Sequence, residues 1–116
     1  MKNGMRPIHP GEILREEYLV PLGMSANALA HAIGVPANRI SDVIRAKRAV
    51  TADTALRLAR ALKTSPQFWL NLQQSYDLRI AEERGPINVK PIEAIASRTV
   101  ERSALRSLGL RRAVLR

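Results

Sequence analysis

The stretch that decides the fold is Ala26-Asn27-Ala28-Leu29-Ala30-His31-Ala32-Ile33-Gly34-Val35-Pro36-Ala37-Asn38-Arg39-Ile40-Ser41-Asp42-Val43-Ile44-Arg45. It reads as two short helices joined by a tight turn. Ser25 stands just before it as an N-cap, where a hydroxyl can accept from a free backbone N–H. Leu29 and Ile33 lie four apart, the spacing of one helix face. Gly34 is placed to stop the first helix in the left-handed conformation that side chains resist. Pro36 suits the first turn of a second helix running to about Arg45. Ile40, Val43 and Ile44 give that helix a narrow apolar stripe, while Asn38, Arg39, Ser41, Asp42 and Arg45 occupy its other face.

Two helices crossing steeply need a small residue where they approach, and Ala30 supplies it. The turn then needs a residue tolerant of positive φ, which Gly34 provides four positions on. Ile40 and Val43 follow as anchors beneath an exposed polar face. This is the spacing of a DNA-binding helix-turn-helix. An ordinary helical hairpin would show the same glycine and apolar spacing, and the charge of the second helix is what weighs against it.

Outward from this unit, apolar spacing predicts three more helices. The first begins near Pro10, with acidic Glu12, Glu16 and Glu17 early, where the helix dipole favours them. Ile13, Leu14 and Tyr18 share a face, and Pro21 and Gly23 end the segment. Residues 46–50 connect the central pair to a helix over 52–63, capped by Thr51, with Ala55, Leu58, Ala59 and Leu62 inward. Ser65-Pro66 opens a fifth helix over about 66–83, carrying Phe68, Trp69, Leu72, Tyr76 and Ile80, until Gly85 and Pro86 break it. No segment alternates with period two, so no strand is predicted.

The chain carries 19 Lys+Arg against 10 Asp+Glu among 116 residues, a formal +9, which favours a polyanionic partner. Residues 1–83 hold net +3 and residues 84–116 net +6, so the tail supplies most of the excess. With no cysteine, disulfides, thiol nucleophiles and Cys-type zinc sites are excluded. No apolar run approaches the roughly 18–20 residues of a membrane span, so no membrane partner is expected. The first twelve residues hold no apolar core of a secretory signal, and a cytoplasmic setting is expected. His9 and His31 stand apart from any ligand or acid–base partner. No phosphate loop or dinucleotide glycine pattern is present, so no enzyme, metal or cofactor is expected.

Five pieces together resemble the HigA-type antitoxins, within the larger Xre/Cro-like helix-turn-helix regulators. They are His9-Pro10-Gly11-Glu12-Ile13-Leu14; Leu29-Ala30 with Ile33-Gly34-Val35; Ile40-Ser41-Asp42-Val43-Ile44; Thr51-Ala52-Asp53-Thr54-Ala55-Leu56-Arg57-Leu58-Ala59; and Phe68-Trp69-Leu70-Asn71-Leu72-Gln73 with Tyr76-Asp77-Leu78. The resemblance covers residues 6–92. The helix-turn is generic to Cro-like proteins, whereas the first and last pieces are specific. It implies an all-α, five-helix, lambda-repressor-like domain that forms a homodimer. It further implies binding to double-stranded operator DNA in its own promoter, and pairing with a ribonuclease toxin of the HigB/RelE kind. The expected layout is an N-terminal arm over 1–8, the DNA-binding and dimerisation domain over 9–84, and a basic C-terminal extension over 85–116. Val89-Lys90-Pro91-Ile92 resembles the family's close, and the residues after it have no family counterpart. Ile95, Thr99 or Val100, Leu105 and Leu108 can line one more helix there, but Arg98, Arg102 and Arg106 at spacing four stack like charges on one face, so a frayed, disordered tail is the default. That tail is expected to lend non-specific electrostatic contact or to touch the toxin.

Carried onto this sequence, the pattern makes Ala37, Asn38, Ser41 and Asp42 base-facing, with Arg39 and Arg45 reaching farther. Asn can bond adenine through two groups and Arg can fork onto guanine. Ala37 can touch a thymine methyl, and Asp42 either accepts from a cytosine amine or orients a neighbouring arginine. Ser25, Asn27, Lys47, Arg48 and Thr51 are the candidate phosphate contacts. Ser25 and Thr51 equally serve as caps, and Lys47 and Arg48 equally as a solvated loop. Phe68, Trp69, Leu72 and Tyr76 either close the core or form a dimer seam. Two other functions share these residues: a solitary Xre-family regulator without a toxin, and a protein–protein adaptor with weak, sequence-indifferent DNA affinity.

Overall fold

The computed structural model describes residues 6–93, and every described element is helical. Helix α1 is one helical run in three pieces: Pro10–Ile13, a π-helical segment Leu14–Leu19, and a last turn Val20–Leu22. Four α-helices follow: α2 at Ala26–Ile33, α3 at Ala37–Ile44, α4 at Ala52–Leu62 and α5 at Pro66–Glu83. The chain divides after Gly85 into two units. Of the second, the structure describes only 86–93, a segment with no helix or strand that exposes Ile87, Val89 and Ile92. Residues 94–116, where the sequence leaves a further helix or a frayed tail open, lie outside the described residues.

Three boundaries differ from the sequence reading, each for a local reason. Pro21 does not end α1 but sits inside its last turn. A proline gives no N–H and crowds the carbonyl four residues back, and the helix just before it is wound wide. There the Val20 N–H donates to the Arg15 carbonyl, five residues back. Gly23, at φ 63°, makes the stop. Pro36 is the N-cap of α3 rather than its first residue, and Arg45 is its C-cap. Lys63 turns left-handed at φ 58° and closes α4 one residue early. Gly34 terminates α2 at φ 74°, as its position predicts.

The core draws on all five helices. Leu14, Leu29, Ile40, Val43, Leu58 and Trp69 are fully buried, with Ala30, Val50 and Ala55 among them. Full burial of an aliphatic side chain of this size stabilises by about 1.5–3 kcal/mol. Trp69 resolves one open alternative. It has no exposed surface, its indole Nε1 donates to Thr64 Oγ1 at 2.7 Å, and its ring packs on Tyr18 and Phe68. It is therefore a core residue, and of the four aromatic and aliphatic candidates on α5 only Phe68, Leu72 and Tyr76 keep any exposure.

The start of α1 lies directly against the end of α3. A Cβ on Gly11 would overlap the Val43 carbonyl and crowd the Ile44 Cα. The bare backbone is what allows this approach. His9 caps the same end of α1, its Nδ1 accepting from the Gly11 N–H at 2.9 Å. The imidazole is buried and stands edge-on to Tyr76, ring centres 4.8 Å apart. The exposed Arg6 guanidinium, just upstream, grips Glu12 with two hydrogen bonds of 2.9 and 2.8 Å.

Burial holds the His9 imidazole below its ordinary value of 6.5, and the Asp77 carboxylate offsets part of that. The unfolded chain thus binds a proton at His9 before the folded chain does, and protonation removes the Nδ1 acceptor. The resulting stability is complete above pH 6.5 and lost as pH falls through that value toward the lower folded pKa. Thermal melts between pH 8 and pH 5 will show this loss. His9→Asn, a good cap that does not titrate, will flatten that part of the profile.

Candidate nucleic-acid interface

The outer row of α3 follows from its anchoring. Ile40 and Val43 are fully buried, so the helix cannot turn about its axis. Ala37 and Asn38 are exposed at its N-terminal turn. Arg39, Ser41 and Asp42 are partly exposed along its length, and Arg45 is exposed at its end. These six candidates are thereby gathered on two turns of one helix. The Ser41 hydroxyl donates back to the Asn38 carbonyl at 3.4 Å.

The flanking candidates sit at helix ends. Ser25 Oγ accepts from the Ala28 N–H at 3.0 Å and caps α2, with Asn27 exposed in the first turn. Thr51 Oγ1 accepts from the Thr54 N–H at 3.5 Å and caps α4. Both side chains thus perform the capping role, and the Thr51 hydroxyl also donates to Thr54 Oγ1 at 3.4 Å. Lys47 and Arg48 are exposed in the connection between α3 and α4. Its turn is set by Ala46 at φ 61° and a 2.8 Å bond from the Lys47 N–H to the Asp42 carbonyl.

Two carboxylates organise the arginines of this face. Asp42 lies 3.4 Å from the Arg45 guanidinium and 3.6 Å from that of Arg48. This geometry favours the orienting alternative for Asp42 over direct base contact. Asp53, in the first turn of α4, accepts from Arg57 Nε at 3.0 Å and stands 3.6 Å from Arg39 Nη1. Arg57 also donates to the Ile33 carbonyl at 2.7 Å, satisfying the C-terminus of α2. Among the described residues, no group of three or more His, Asp or Glu converges as a metal site would require.

Four contributors were not singled out from sequence: Asp53, Arg57, Gln73 and the cap His9. Asp53 and Arg57 carry a visible signal, an acid four residues before a base on one helix. Gln73 is a lone amide on the inner side of α5. It is buried, its Oε1 accepts from the Val50 N–H at 2.8 Å, and its Nε2 donates to Asp77 at 2.9 Å. It ties α5 to the connection that carries Lys47 and Arg48.

A family profile described as Helix-turn-helix matches residues 14–69, from the π-helical turn through Trp69. Antitoxin HigA-1 of Vibrio cholerae is 44% identical over 77 residues, 66% of this chain and 72% of the relative. The chain belongs to the HigA-type antitoxins of the Xre/Cro-like helix-turn-helix family. Two solved structures extend the similarity to three dimensions. Antitoxin GraA in complex with its operator is 57% identical, with a TM-score of 0.65, covering 72% of this chain and 84% of that one. Pseudomonas aeruginosa antitoxin HigA with the higBA promoter is 44% identical, with a TM-score of 0.70, covering 75% and 99%.

In this HigA-type chain the Val50 N–H is buried and Gln73 is its acceptor. Gln73→Leu will leave that N–H unsatisfied and destabilise the domain by about 1–3 kcal/mol, read as a lower denaturant midpoint.

Proposed function

We propose that the chain is a dimeric, sequence-specific DNA-binding antitoxin of the cytoplasm. It represses its own toxin–antitoxin operon and neutralises a ribonuclease toxin of the HigB/RelE type. The observation that carries this reading is the polar row of α3, held outward by complete burial of Ile40 and Val43. Its support is the HigA relative solved with the higBA promoter and the GraA relative solved with its operator.

In the major groove, α3 presents Ala37 and Asn38 first, where base edges are nearest. Asn38 suits the adenine edge, Arg39 and Arg45 suit guanine, Ala37 suits a thymine methyl, and Ser41 suits either base of a pair. Asp42 braces Arg45 and Arg48. Ser25, Asn27 and Thr51 offer polar groups at helix N-termini to phosphates, and Lys47 and Arg48 offer charge. A single α3 reads few base pairs. Two copies related by a two-fold axis read a palindrome with half-sites about 34 Å apart. Phe68, Leu72 and Tyr76 recur at spacing four on α5 and supply a surface for that pairing.

Two measurements test the reading. Selection from duplexes with a randomised core will enrich a two-fold motif with the wild type. Asn38→Ala with Arg39→Ala will bind selected and mixed-sequence duplexes alike, each lost bidentate contact costing about 1–3 kcal/mol of discrimination. Equal binding by the wild type would overturn sequence reading. Co-purification with the product of an adjacent small basic reading frame tests the antitoxin role, and a solitary regulator would retain none.

The phosphate contacts have a separate signature. Lys47→Ala will shallow the log–log dependence of duplex affinity on salt by about 0.9. Arg48→Ala will shallow it less, because Asp42 already shares that charge.

A further inference from the structure

We propose that Asp53, a residue of α4 outside the reading helix, is a specificity-determining positioning residue that sets where Arg39 reaches. The inference rests on the DNA-reading function above. Its basis is a relay across three helices. The Ile33 carbonyl ending α2 accepts from Arg57 Nη1 at 2.7 Å, and Arg57 Nε donates to Asp53 Oδ2 at 3.0 Å. The same Oδ2 lies 3.6 Å from Arg39 Nη1. Arg57 thus holds the carboxylate from behind, so Asp53 acts as a fixed post rather than a free rotor.

The exposures agree with a held arginine. The Arg39 side chain is 28% exposed although it belongs to the outer row, whereas the carboxylate that holds it is 59% exposed. An unrestrained arginine samples many rotamers and can satisfy a phosphate or any guanine within reach. A held one presents its fork along one direction, which suits a single base position. The carboxylate also repels the phosphate backbone, lowering affinity for every sequence alike. Discrimination therefore comes from the fixed direction of Arg39, and the repulsion lowers only the affinity common to all sequences. An exposed ion pair of this kind contributes little to stability, so its effect on DNA reading is separable from its effect on folding.

The experiment is selection from duplexes with a randomised core, followed by affinities for the selected duplex and a mixed-sequence duplex. It compares wild type, Asp53→Asn, Asp53→Glu, Arg39→Ala and the double variant Asp53→Asn with Arg39→Ala. Asp53→Asn is expected to bind mixed-sequence DNA several-fold more tightly and to lose about tenfold in the ratio of selected to mixed affinity. It should turn degenerate at the base position that Arg39→Ala also loosens. Asp53→Glu, which keeps the charge, should retain the motif. In the Arg39→Ala background, Asp53→Asn should leave the ratio where Arg39→Ala put it. An unchanged motif and ratio in Asp53→Asn would overturn the inference alone, as would an equal loss of ratio without Arg39. A wild type that enriches no motif would overturn the DNA-reading function and this inference with it. Thermal melts of each variant separate a folding defect from either result.

Discussion

The structure depends on how α3 is seated. Ile40 and Val43 are fully buried, and the start of α1 closes over the end of α3 where Gly11 has no side chain to hold it off. A helix of eight residues is too short to be stable by itself. Its orientation is therefore a property of the packing around it. Every polar residue on its outer face inherits its direction from those two anchors and from the left-handed turn at Gly34.

Around that seat the protein spends polar groups on alignment. Gln73 satisfies the Val50 N–H and ties the basic connection to α5. Arg57 completes the C-terminus of α2 and immobilises Asp53. Asp42 gathers Arg45 and Arg48. These exposed ion pairs stabilise the fold little. Their effect is to fix where cationic side chains point, which matters to a surface that must match a duplex. Among the described residues no buried side-chain polar atom lacks a partner, so the network is complete within the folded chain.

Helix positions were legible because each carries local punctuation. Ser25, Thr51 and Ser65 cap the helices they precede, and the hydroxyl oxygen of each accepts from an N–H three residues on. The wide winding of α1 was not legible. Pro21 reads locally as a terminator, and only the hydrogen-bond pattern upstream shows how the helix accommodates it. Gln73 was equally hidden, since a glutamine four residues from a tryptophan reads as surface until its acceptor role toward Val50 is seen. Trp69 illustrates the intermediate case. Its place on an apolar face was evident, but core and seam differ only in what covers the ring.

By itself the sequence determined the five helices, the glycine turn and the residues of the outer row, because caps, breakers and apolar spacing act within a few residues of one another. It also carried the family, through motifs dense enough to name. The tertiary structure alone decided that Arg39 meets Asp53, that His9 is buried against Tyr76 and that Trp69 belongs to the core. Those outcomes join residues far apart in the chain, as Arg57 joins Ile33 across 24 positions and Gln73 joins Val50 across 23. No local pattern encodes a distance that exists only once the chain has closed on itself.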